Sequence, residues 1–229
     1  MPPAADRQGV GQPKEMSMCV HGLDSVAEWF LRLNGFFTVL NFVVHPVEPK
    51  EGAQQRTDAD VLGVRFPYRR EIVGGKPLPD HDAFQDSSRT VLVIAEIKAG
   101  RCKLNGPWVH PKDDNVGNVL RAVGCVAPES VEAISSSLYQ NGRFESEAFE
   151  ARLLCFGARS SSKLPTATLQ FEWNDVFGFV HDRYQRFWRV KRENQQWPPV
   201  GRLLWDRCRD KARDVYVREM LAVFGVSLA

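Results

Sequence analysis

Five consecutive apolar residues, Val91-Leu92-Val93-Ile94-Ala95, run directly into Glu96-Ile97-Lys98. A run apolar at every position has no solvent face, so it reads as a strand buried on both sides of a sheet. A carboxylate and an ammonium at the end of such a strand are costly to desolvate unless a partner offsets the cost. A metal ion and a phosphate would do so. A second apolar run, Val61-Leu62-Gly63-Val64-Arg65-Phe66, is led by Thr57-Asp58-Ala59-Asp60. Carboxylates from two neighbouring strands can hold Mg²⁺ through oxygen, and a lysine two residues along the same strand face can orient or deprotonate a water. That combination suits phosphodiester hydrolysis.

Length and composition bound the rest. At 229 residues and 43% hydrophobic content the chain supports one sizeable core, with room for a helical appendage. The formal net charge of +2 does not by itself point to nucleic acid. Its distribution says more. Residues 181–218 hold eleven Lys/Arg against five Asp/Glu, interleaved with Tyr184, Phe187, Trp188, Trp197 and Trp205. Such a segment can grip phosphates, dock a partner, or be an amphipathic helix with a solvated Arg face that buries Phe187, Trp188, Trp205 and Val215. The five cysteines are far apart, without a C-x-x-C pair or a histidine at zinc-ligand spacing, which argues against structural zinc and against a disulfide framework. Residues 1–14 lack an apolar signal core and no run reaches membrane-spanning length, so the expectation is a soluble, cytoplasmic protein with no membrane partner.

Three regions are expected: a flexible tail at 1–18, an α/β core at 19–172 and a helical extension at 173–229 packed on it. Asp24 or Ser25 can cap a helix carrying Val26, Ala27, Trp29, Phe30 and Leu33, and Asn34-Gly35 can stop it. Strands are expected at 36–44, 61–66 and 91–98. A polar loop at 46–56 separates the first two. The long insert at 67–89 is either a substrate-facing flap or a plain surface excursion. Helices at 116–123 and 128–139 follow, then strands at 152–156 and 167–171, and helices at 174–192 and 203–224. Histidines 45, 81, 110 and 181 share no spacing that suggests a metal cluster, and each defaults to a structural role.

The order helix, strand, strand, strand, helix, strand, with Asp60 on the second strand and Glu96-x-Lys98 on the third, resembles the PD-(D/E)XK nuclease superfamily. The resemblance covers residues 24–171. It implies a restriction-endonuclease-like mixed β-sheet core (αβββαβ) flanked by helices. It also implies Mg²⁺, with Mn²⁺ as a substitute, held by Asp60, Glu96 and the backbone carbonyl of Ile97, with Lys98 positioning the attacking water. Glu28 on the first helix matches an acidic residue that many members place there, and Asp58 is an alternative to Asp60. Asn118 and Arg121, on the helix after the motif strand, fall where members place polar groups near the scissile phosphate. Together with Arg186, Arg189 and Arg192 they form the candidate nucleic-acid-binding set. The implied activity is a metal-dependent nuclease, an endonuclease acting on DNA rather than RNA, alone, as a homodimer or in a larger complex such as one for repair or phage defence. The rival reading is a catalytically inactive subunit that keeps the fold and binds nucleic acid or protein.

Overall fold

The computed structural model describes residues 22–45, 57–85, 88–193 and 198–228. The tail at 1–18, Cys19, the polar loop at 46–56 and Trp197 lie outside these residues. The chain forms helix α1 (Leu23–Leu33), strands β1 (Phe37–Val44) and β2 (Thr57–Arg65), a short hairpin of β3 (Ile72–Val73) and β4 (Lys76–Pro77), and strand β5 (Thr90–Ile97). Helices α2 (Gly106–Val109), α3 (Asn115–Val123) and α4 (Val131–Asn141) lead to strands β6 (Arg143–Glu145), β7 (Phe149–Gly157) and β8 (Leu169–Glu172). Helices α5 (Trp173–Arg186), α6 (Trp188–Lys191), α7 (Pro199–Cys208) and α8 (Arg213–Val223) complete the described elements.

The sheet is mixed. β1, β2 and β5 form an antiparallel meander, with Val61 opposite Ala95 and Gly63 opposite Val93. β7 then joins β5 in parallel after the chain has crossed over through α2, α3 and α4. That crossover is what a parallel neighbour requires. The far edge of β7 is shared in succession, its first half pairing with β6 and its second with β8.

Both faces of the sheet are covered by helices, which explains the uninterrupted apolar run of β5. Val91, Val93, Ala95 and Ile97 face a core built with α1, α5, α7 and α8. Leu92 and Ile94 face a second core built with α2, α3 and α4. Leu92, Val93 and Ala95 are fully buried, and each Val- or Leu-sized side chain so placed contributes about 1.5–3 kcal/mol. Space between the strands is tight. A Cβ on Gly63 would approach Val93 Cγ2 to 2.9 Å, so β2 and β5 tolerate no larger residue there without a shift.

Several boundaries differ from expectation, each for a local reason. Helix α1 starts at Leu23 after Gly22, and neither Asp24 nor Ser25 caps it by side chain. Its stop at Asn34-Gly35 is as expected, with Gly35 at φ 83° and Phe36 N–H bonded to Leu31 carbonyl. The C-terminal segments are four helices rather than two, broken at Phe187 and again after Cys208, where Asp210 takes φ 54°. Val215 is exposed, although Phe187 and Trp205 are buried. The insert at 67–89 is not a plain excursion. Its second half sends Leu78 and Phe84 into the interior, and Asn34 Oδ1 accepts the His81 backbone N–H at 2.7 Å.

Candidate active site at the end of the central strands

Strand β5 ends where β2 begins, and the candidate residues meet at that junction. Continuing the β2–β5 register by one step beyond Val61 and Ala95 sets Asp60 opposite Glu96. The ladder stops there. Instead of a backbone pair, the Asp60 carboxylate accepts the Ile97 backbone N–H at 2.6 Å. Asp60 therefore fastens to the segment that would offer the Ile97 carbonyl as a ligand.

Glu96 is 1% exposed. Its Oε1 accepts from Lys98 Nζ and Asn105 Nδ2, and its Oε2 accepts from Trp108 Nε1 at 2.8 Å. A carboxylate this buried keeps its charge only when its lone pairs are so occupied. Asn105 and Trp108 are supplied by the turn into α2, where Pro107 occupies the first turn and Trp108 is 1% exposed. Neither was singled out from the sequence, where Asn105-Gly106-Pro107 read as a loop. The available signal was a tryptophan just after a turn, since a buried indole N–H needs an acceptor.

Lys98 is held from behind. Its backbone N–H bonds to the Phe156 carbonyl at 3.0 Å, and its carbonyl accepts Trp173 Nε1 at 2.8 Å. The turn that follows packs on β7 through Ala158 N–H to Gly100 carbonyl. Gly157 permits that approach, because a Cβ there would lie 2.8 Å from both the Gly100 carbonyl and the Cys102 nitrogen. Only the Lys98 side chain is left to move, and it is 27% exposed.

Three carboxyl groups in this region titrate above their usual range. Burial raises Glu96 most, and the Asp60 charge adds to it, against hydrogen bonds from Lys98 and Trp108. Burial likewise raises Asp60, with Asp58 adding, against the Ile97 N–H and the Lys98 charge. The third is Asp24, raised by burial and then by Asp60, and opposed by Lys98. In the sequence Asp24 reads only as a capping residue. It stands one helical turn before Glu28 on the same face of α1, so the spacing of four was the signal for it.

Glu28 is half-buried, and its Oε1 accepts from Thr38 Oγ1 on β1 at 3.0 Å. Asp58 is exposed opposite Val43 and acts on Asp60 and Asp24 through its charge. On α3, Asn118 is buried and accepts from Arg121 Nη1 at 3.1 Å, while Arg121 pairs with Asp114 at 2.8 Å. Arg121 thus lies in the groove between α3 and α4, with Asn118 buried behind it. Arg186 lies over the Phe187 ring at 5.5 Å, Arg189 is exposed, and Arg192 is 3.9 Å from Glu193. These three belong to α5, α6 and the turn after it, and no contact ties them to Glu96 among the described residues.

Among the described residues no three His, Cys, Asp or Glu side chains gather into a metal cage. The groups at this junction that could hold a metal are the Asp60 and Glu96 carboxylates, with the Ile97 main-chain carbonyl as the third donor the resemblance implies. Hard oxygen donors of that number suit Mg²⁺, which binds through one or two carboxylates and keeps several waters. A surplus of raised carboxyls beside one lysine is also the electrostatic condition that a cation would relieve. Among the described residues no helix is long and apolar enough to cross a membrane. Cys102, Cys125, Cys155 and Cys208 are free thiols. No family model matches the chain, and neither the curated proteins nor the solved structures compared with it gave a match.

Proposed function

We propose that the protein is a metal-dependent nuclease of the restriction-endonuclease-like fold that hydrolyses phosphodiester bonds in DNA. The observation that carries this reading is the junction of β2 and β5. There Asp60, Glu96 and Lys98 meet at the open end of two hydrogen-bonded strands, and the carboxyls outnumber the lysine. The meander of three antiparallel strands followed by a helical crossover to a parallel strand supports the fold part of the reading.

Asp60, Glu96 and the Ile97 carbonyl would hold Mg²⁺ or Mn²⁺. The ion would supply neutralisation of phosphate charge and a lowered pKa for a bound water. The other steps belong to the chain. Trp108 and Asn105 keep the Glu96 carboxylate fixed when Lys98 turns away from it. Lys98, with its backbone clamped on both sides, orients the attacking water. Asp24 and Glu28 add negative charge on the α1 side, where they can receive a proton or bind a cation through water.

The test is cleavage of supercoiled plasmid and of single-stranded DNA with Mg²⁺, Mn²⁺ or EDTA. Glu96→Gln and Lys98→Ala should each lower the metal-dependent rate by on the order of 10³-fold, within the range for groups acting on the transition state. Circular dichroism should show both variants folded. Undiminished nicking by both would assign the activity elsewhere, and a wild-type protein that binds DNA without cutting it would favour the inactive-subunit reading.

A further inference from the structure

A cleft of about 390 Å³ opens between α5 and the loop at 79–85. It lies at the opposite end of β2 from Asp60, next to Arg65. Its size is that of a small-molecule site. Behind it lies a cluster of buried cations. Asp80 is shared by Arg65 at 2.6 Å, by Arg69, and by Arg183 at 3.5 Å. Glu71 is shared by Arg69 at 2.6 Å and Lys191 at 4.0 Å. Among the described residues, these ion pairs set four cations around two carboxylates. The side chains of Arg65 and Arg183 are each 2% exposed, so water does little to screen the surplus.

Arg183 lines the cleft. Its Nη2 donates to the Leu33 carbonyl at 2.6 Å, but its Nε and Nη1 have no hydrogen-bond partner among the described residues. Burial, and then the nearby Arg69 charge, push its guanidinium below the usual arginine range, against Glu71 and Asp80. A buried arginine with two idle guanidinium nitrogens is a costly arrangement that an anion would relieve. Arg186, one turn on at the mouth, adds a second guanidinium. Two rim carboxylates are committed, Asp182 to Arg213 at 3.2 Å and His181 at 3.0 Å and Asp82 to Gln85, while Asp175 stands exposed on the rim, where its charge reaches His81. Phe179 and Phe187 supply an aromatic wall.

We infer that this cleft binds a small phosphate-bearing molecule, with the phosphate on Arg183 and Arg186. The phosphate could be the free anion or that of a mononucleotide, whose ring would lie along the aromatic wall. The experiment is calorimetric titration of inorganic phosphate and of AMP into the full chain in EDTA, so that no result depends on the nuclease reading. Arg186→Gln should weaken binding by about tenfold, the weight of one charge-assisted hydrogen bond. Arg218→Gln, on the outer side of α8, should leave it unchanged. Tighter binding of AMP than of phosphate supports the site with the ring seated, and equal affinities support it with the bare anion. Arg183→Met should abolish binding if it folds, and because Arg186 is exposed its variant decides the matter even if Arg183→Met does not. Failure of both ligands to bind, or wild-type affinity in Arg186→Gln, overturns the assignment.

Discussion

At the start of β2, Asp60 stands among carboxylates, with Asp24, Asp58 and Glu96 around Lys98. At its end, five residues on, Arg65 stands among cations, with Arg69, Arg183 and Lys191 around Asp80 and Glu71. Each group is built around a buried charge, Glu96 at one end and Arg65 with Arg183 at the other, and the two are out of balance in opposite directions. The difference between them lies in what their hydrogen bonds do. Arg65 donates to the Phe84 carbonyl at 2.6 Å and to Asp80, pinning the insert to the strand, so its charges serve folding first. At the acidic end the donors Asn105, Trp108 and Ile97 N–H hold individual carboxylates in place without neutralising them. Lys98 pairs with Glu96, but the carboxyls around it outnumber it, which is the condition for holding a further cation and reacting beside it.

The largest expected effect that separates the two ends is on stability. Asp80→Ala removes the carboxylate that the buried guanidiniums of Arg65 and Arg183 share. A loss of about 3–5 kcal/mol is expected by urea unfolding. A loss below about 1 kcal/mol would mean that this end carries no more weight in folding than a surface pair.

At the acidic end the sign reverses. The folded-state pKa values of Asp24, Asp60 and Glu96 are raised, so their contribution to stability is fully present below the unfolded carboxyl range and is lost as pH rises through the raised values. Asp60→Asn should therefore stabilise the metal-free protein at neutral pH. A rise of about 2–4 °C in Tm corresponds to 1 kcal/mol in a chain of this size. The gain should shrink as pH falls and vanish below the unfolded carboxyl range, where the group is protonated in both states. An Asp60→Asn protein less stable than wild type at pH 7 would show that Asp60 is there to bond Ile97 rather than to carry charge.

The smallest effect concerns exposed arginines that belong to neither buried charge cluster. If Arg186, Arg189 and Arg192 contact DNA phosphates, replacing all three by Gln should weaken binding about equally across sequences. The slope of log affinity against log salt should flatten by roughly one unit per lost contact. An unchanged slope with altered self-association would assign this surface to protein docking.

How far the sequence exposes each region follows from the range of its interactions. The apolar run at Val91–Ala95 and the acids at Asp60 and Glu96 could be read directly, because strand parity and burial are local signals. The stop at Asn34-Gly35 was equally local. The partners of Glu96 were not, since Asn105 and Trp108 come from the turn beyond the strand and meet it only in three dimensions. The insert misled for the same reason. Its turn-rich composition reads as surface, yet Asp80 and Phe84 are drawn inward by Arg65, a lone basic residue in the otherwise apolar run Val61–Phe66. Arg183 was counted with a solvated arginine face, although it is 4% exposed and reaches back to the end of α1.

The central claim is that the carboxylates at the β2–β5 junction hold a divalent cation. Calorimetric titration of Mn²⁺ into the wild-type chain and into Asp60→Asn and Glu96→Gln tests it directly, without DNA. The account predicts saturable binding to wild type that each variant weakens by at least about tenfold, the loss of one charged oxygen ligand. Binding of equal strength in all three proteins, or none in the wild type, would contradict it.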